Sequence, residues 1–317
     1  MSLFNRVISL TLPFVPKPVV RHFSRPYIAG STVDDALRVV RDLESQGVAS
    51  TIDILGEFVT RREEADANTA EYIALVRRLA HEGLACANVS VKLSALGLLL
   101  DRERCLANMR RLMDAVVEAD GFARIDMEDS PCTSATLDVY RALRADYGAC
   151  AGVAVQSRLR RTLADVEALC REPASFRLCK GIYLEPRGIA FVDPELIRSN
   201  FTLLLERMFE HGAEVGIATH DERLVWEALR LIGRHGRKRG DYEFEMLLGV
   251  DEELRAILRE SGHPVRVYVP YGERWYPYSV RRLRENPQIA AHALRAVLRR
   301  GGRRAAAQPA PTPTPWP

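Results

Sequence analysis

Lys92, Asp126, Glu128, Gln156, Arg177, Lys180, Thr219 and His220 all fall at the ends of short apolar, β-branched runs: VSVK, RIDMED, VAVQ, FRLCK and GIATH. A lone ammonium, guanidinium or carboxylate in such a run is costly to bury, so each demands a partner or a ligand. Lysine is scarce here, at residues 17, 92, 180 and 238 among 45 basic residues, which makes the choice of lysine at 92 and 180 informative. Several chemistries suit the set. Lys92, Asp126 and Arg177 can form a structural ion network, or they can face an anionic substrate beside a cofactor. Either lysine could instead form a Schiff base in a cofactor-free lyase or aldolase, and a degenerate scaffold could serve as a binding or regulatory module. His220 reads as a hydrogen-bonded loop histidine or as a cofactor contact. With no second histidine or cysteine at ligand spacing, no metal site is expected.

These residues need a frame that brings run ends together. Eight runs alternate with segments of helical period, the pattern of parallel β-α-β units. They are Thr51–Leu55, Val89–Leu96, Ala123–Asp129, Val153–Leu159, Phe176–Leu184, Glu214–His220, Tyr242–Leu248 and Val265–Val269. Helices are expected between them, as over Asn68–His81 and Pro194–His211, with Asn68 and Asp193 as polar starters. Eight repeats favour an α/β fold closed as a (β/α)8 barrel, and no G-x-G-x-x-G or P-loop supports an open nucleotide-binding sheet. The expected division is an N-terminal helical arm over 1–49, the barrel over 50–300 and a disordered proline-rich tail over 301–317. A helix around Val33–Leu43 is expected to pack on the barrel as a plug or lid.

Bulk properties narrow the class. The 317 residues are 47% hydrophobic and 27% charged, with a net charge of +3 and scattered basic residues, so nucleic-acid binding gains no support. The six cysteines, at 86, 105, 132, 150, 170 and 179, contain no C-x-x-C pair and read as reduced thiols of a cytoplasmic protein. Val7–Val20 is apolar, but Pro13, Pro16, Lys17 and Pro18 break it before it could span a bilayer.

The segments VKLSALG, RIDMEDS, KGIYLEP, ATHD and YPYSVRRLRENP, in this order, resemble the proline dehydrogenase family, and in particular its compact monofunctional bacterial members. The likeness runs from about residue 50 to 290. It implies a barrel whose last helix lies over the carboxyl ends of the strands, with FAD in the mouth. It also implies that L-proline is oxidised to Δ1-pyrroline-5-carboxylate by hydride transfer from C5 to flavin N5. Position by position, Arg281, Arg282 and Lys92 are implied to grip the substrate carboxylate, as a planar guanidinium fork suits. Asp126 is implied to lie at flavin and substrate, with Met127 touching the flavin through its backbone. Arg177 and Lys180 are implied cations near the reactive ring edge, and Gln156 a hydrogen-bonding partner of the ring. Gly181, Ile182, Thr219 and His220 line the rest of the FAD, Glu285 holds its adenosine end, and Tyr268 and Tyr278 pack on the proline ring. Tyr268 further implies proline over 4-hydroxyproline. A quinone acceptor, a peripheral contact with the cytoplasmic face of the inner membrane and docking of pyrroline-5-carboxylate dehydrogenase follow from the same resemblance. The apolar stretch Leu3–Val20 is a candidate membrane surface, or else packs on the barrel. Two departures stand out: Ile182 replaces a common alanine, and Glu245 stands where the family often has glutamine, to retune the flavin or to turn outward.

Overall fold

The computed structural model describes residues 17–285 apart from Ala85, excluding the side chains of Val19, His22, Phe23 and residues 281–285. The tail expected over 301–317 and most of Leu3–Val20 lie outside the described residues. Two compact units are present. One spans Tyr27–Glu273, and the described part of the other comprises residues 17–26 and 274–285.

In the larger unit the strands are β1 (Ala49–Ile54), β2 (Ala87–Lys92), β3 (Ala123–Asp126), β4 (Ala151–Gln156), β5 (Ser175–Cys179), β6 (Glu214–Ala218), β7 (Tyr242–Leu247) and β8 (Val265–Tyr271). They pair in parallel in chain order, and β8 closes on β1 with Thr51 opposite Tyr268 and Asp53 opposite Pro270. Helix α1 (Lys17–Ser24) belongs to the smaller unit and α2 (Val33–Ser45) precedes β1. The crossovers are α3 (Arg62–His81), α4 (Arg102–Glu118), α5 (Ser130–Tyr147), α6 (Thr162–Leu169), α7 (Pro194–Glu210), α8 (Glu222–Arg234) and α9 (Glu252–Glu260). After β8, α10 (Trp275–Glu285) packs with α1 in the smaller unit. The barrel is a (β/α)8 fold, and parallel strands covered by helices explain why their outward residues, such as Ile52, Val91, Ile125, Val153, Phe176 and Ile217, are almost wholly buried.

Local signals account for several boundaries. A capping box joins Thr32 and Asp35 at the start of α2, and Asp193 caps α7 by accepting the Glu195 N–H at 2.8 Å. Helix α3 begins at Arg62, six residues before Asn68, because the acidic first turn Glu63–Glu64 suits a helix N-terminus. Asn68 lies inside it and donates to Ala95 O at 2.9 Å, so it is a tether and not a cap. Helix α2 is neither plug nor lid: Ala36, Leu37, Val40 and Leu43 are buried in the core where it lies against β1 and β8.

Candidate active site

Barrel interiors are commonly filled by branched apolar layers. Toward the carboxyl end this one is polar, and cross-barrel hydrogen bonds show which side chains point inward. Arg177 on β5 reaches three other strands. Its Nη1 donates to Ser90 Oγ on β2 at 2.8 Å and to Asp126 Oδ1 on β3 at 2.7 Å, and its Nε donates to Glu245 on β7. Tyr268 on β8 donates its hydroxyl to Asp126 Oδ2 at 2.7 Å and accepts from Lys92 Nζ at 3.2 Å. Lys92 also donates to Asp53 Oδ1 on β1 at 2.7 Å and lies 3.6 Å from Asp126 Oδ2.

The alternation of the strands explains the set. On β1, Thr51 and Asp53 face in while Ile52 and Ile54 face the helices, and Thr51 Oγ1 meets Ser90 Oγ at 3.1 Å. Gly216 on β6 is required by close approach, since a Cβ there would stand 1.9 Å from Glu245 Oε1. Glu245 therefore turns inward to Arg177, which decides between the two orientations its sequence position allowed.

Burial and charge set the protonation states. Burial pushes the Lys92 ammonium down, but Asp53 and Asp126 outweigh it and hold its pKa above the ordinary value. Burial likewise disfavours charge on Arg177, and Glu245 and then Asp126 reverse it. For Asp126, burial raises the pKa and Arg177 and Lys92 more than offset it, so this carboxyl sits below its usual range. Burial wins at Asp53, whose pKa is raised despite Lys92.

The partner that each buried cation demands is thus supplied by carboxylates of neighbouring strands. Lys92, Asp126 and Arg177 form an ion network with Asp53 and Glu245, in which two cations meet three carboxylates. The donors left over are specific ones: Arg177 Nη2 has no partner among the described residues, and Lys92 spends two of its three protons in hydrogen bonds.

Other expected site residues lie at the same end. Gln156, buried at the close of β4, donates Nε2 to Glu128 O at 2.7 Å. Met127 is buried in the loop after β3. Gly181 has φ +91°, and a Cβ there would come within 2.3 Å of Gln156 Oε1. Ile182 is 40% exposed. Lys180 stands apart from the Arg177 network: its ammonium donates to Asp221 Oδ2 at 2.9 Å, which Arg198 also engages at 2.7 Å. Thr219 Oγ1 accepts the Asp221 N–H at 3.1 Å, and His220 Nε2 accepts the Leu247 N–H at 3.0 Å, so His220 ties the end of β6 to β7. Tyr278 is buried in the smaller unit. Arg281, Arg282 and Glu285 fall on α10, but their side chains lie outside the described residues.

Two contributors were not singled out from the sequence. Asp53 was legible as an acid at inward register within TIDI, and Ser90 sits two residues before Lys92 on the same face. Among the described residues no group of three or more His, Cys, Asp or Glu could hold a metal ion.

Glu128 is buried between these elements, and burial raises its pKa from 4.5 to about 7. The folded state therefore binds this proton more tightly than the unfolded chain. Its contribution is fully present below pH 4.5 and is lost as pH rises through about 7. Parent stability should fall over that interval by about 3 kcal/mol relative to Glu128→Gln, measured as urea unfolding against pH. Parallel curves for the two proteins would refute the assignment.

Residues 36–293 match the family model described as "Proline dehydrogenase". Proline dehydrogenase of Deinococcus radiodurans is 34% identical over 277 residues, covering 86% of this chain and 89% of that protein. Proline dehydrogenase 2 of Bacillus subtilis is 33% identical over 273 residues, covering 86% and 89%. Among solved structures, proline utilization A (PutA) from Bdellovibrio bacteriovorus superposes with a TM-score of 0.79 at 25% identity, over 84% of this chain. The chain spans about a third of that larger protein, 32% of its length. With the barrel, its interior ion network and matches over most of its length, the chain belongs to the proline dehydrogenase family.

Proposed function

We propose that the chain oxidises L-proline to Δ1-pyrroline-5-carboxylate with FAD as its cofactor, the first step of proline breakdown. The observation that carries this reading is the pair of buried cations at the barrel mouth, Arg177 and Lys92, each fixed by carboxylates yet keeping spare donors. The residues present fit a flavin: an amide at Gln156, a guanidinium at Arg177, the left-handed backbone of Gly181 and the half-exposed ammonium of Lys180. Met127, Ile182, Thr219, His220 and Glu285 complete the proposed cofactor set. Held by these residues, a flavin would supply the acceptor for a hydride from C5 of the proline ring, with a quinone as the proposed final acceptor.

The chain's own residues bind and orient. Lys92, Arg281 and Arg282 are proposed to hold the carboxylate, and Tyr268 and Tyr278 to pack on the ring. Lys92 stays an ammonium and Tyr268, its pKa raised well above the ordinary value by burial and then Asp126, stays a phenol. Neither takes a proton from the substrate. The cations around the site favour proline bound as its neutral amine, the proton having gone to water. Asp126 holds Arg177 and Tyr268 in one orientation, which places the ring.

Among the described residues no helix is long and apolar enough to cross a membrane. A peripheral membrane contact, through which a quinone is reached, is proposed on the resemblance alone, as is docking of pyrroline-5-carboxylate dehydrogenase. The test is a dye-linked assay with L-proline and trans-4-hydroxyproline. Proline should be preferred by roughly tenfold or more in kcat/KM, since the fixed Tyr268 crowds an added hydroxyl. Equal rates would remove Tyr268 from that role, and no turnover of either would remove the proposed activity.

A further inference from the structure

A second set of hydrogen bonds at the carboxyl ends of the strands converges on Ser94 and Glu128. Glu128 is fully buried, and its carboxylate accepts from the Ser94 N–H at 2.9 Å and from the Ser94 hydroxyl. Ser94 Oγ accepts the Phe58 N–H at 3.0 Å, and Ser94 O accepts the Val59 N–H at 3.3 Å. On its other side Glu128 O accepts from Gln156, whose Oε1 lies against Gly181. The loops after β1, β2 and β3 are thereby tied to the ends of β4 and β5.

What this belt holds is the ion network. Lys92 immediately precedes the Leu93–Leu96 turn, so its backbone is fixed on one side by pairing with Asp126 and on the other by the bond from Ser94 N to Glu128. Asp126, which holds Arg177, is two residues before Glu128. Phe58, 39% exposed on the loop after β1, has φ +55°, a sparsely populated conformation for a bulky residue that the bond to Ser94 Oγ retains.

Fold stability alone is poorly served by a buried carboxylate with no salt-bridge partner among the described residues, which an amide or apolar side chain could replace at lower cost. What the carboxylate adds is two charge-assisted acceptors aimed at one residue. We propose that Glu128 is a positioning residue: acting through Ser94, it fixes the turn that carries Lys92 and the rim loop that carries Phe58, a role that rests on reading the mouth as a proline site.

The test uses the full-length chain as Ser94→Ala, Glu128→Gln and the double variant. It measures KM for L-proline, hydrogen exchange over residues 57–60 and 93–97, and melting temperature. Each single substitution should raise KM about tenfold, and the double should raise it no further than the larger single, because both cut one chain of bonds. Exchange should accelerate in both segments, while Glu128→Gln melts no lower than the parent at pH 8. Unchanged KM overturns the inference even where exchange accelerates, since the belt is then structural only; so do single effects that multiply in the double. Should the parent fail to oxidise proline, the proposed activity falls, and exchange still decides the clamp: parent-like exchange in both variants overturns it.

Discussion

Arg177→Met should abolish measurable proline turnover and destabilise the fold by roughly 3–5 kcal/mol, because it strands Asp126 and Glu245 in the barrel without their guanidinium. For a unit of this size that corresponds to a fall in melting temperature of about 10 °C. Stability and chemistry are separable. Adding Glu245→Leu should recover much of the lost stability by removing one orphaned charge, while turnover stays absent because the donors at Arg177 are gone. Recovery of turnover in that double variant would show that Arg177 serves the fold alone, and a near-parent melting temperature in Arg177→Met would show that the network is not what holds Glu245.

Lys92→Met is expected to act mainly on binding. Loss of the proposed charge-assisted bond to the substrate carboxylate should raise KM for proline between about tenfold and a hundredfold, or roughly 1.4 to 2.7 kcal/mol. The fold should suffer less than with Arg177→Met, since Asp53 already has a raised pKa and can become a neutral carboxyl once Lys92 is gone. A carboxyl with a raised folded pKa stabilises in acid and loses that contribution as pH rises, so the stability deficit should grow from acid toward neutral pH. Steady-state kinetics with thermal melts at two pH values check both halves. An unchanged KM would mean that the carboxylate is held elsewhere.

Much of this was legible in the sequence because eight β-branched runs alternate with helical periods, and closure follows from their number. The ends of the runs were harder. Val89–Leu96 overran β2 because Leu93, Ala95 and Leu96 are buried in a 3-10 turn, and burial rather than strand geometry made them apolar. Phe176–Leu184 overran β5 for the opposite reason. Ile182 and Leu184 are 40% and 93% exposed on a loop, where hydrophobicity carries no information about a strand. Lys92, Asp126, Arg177 and Tyr268 converge because each sits at inward register on its strand; the first three were legible as polar residues in apolar runs, whereas Tyr268 was implied only by the family resemblance. Which carboxylate meets which cation depends on strand stagger around the closed barrel, so the pairing of Lys92 with Asp53 and of Arg177 with Glu245 needed coordinates.

The polar barrel mouth is proposed to bind a flavin and to deliver proline to it. Anaerobic titration of the flavin-loaded chain with L-proline, followed by its visible absorption, decides whether it does. The yellow band should bleach in proportion to added proline until the flavin is fully reduced. A band that proline leaves unchanged, or a colourless protein that borohydride links to a keto acid through Lys92 or Lys180, would contradict it.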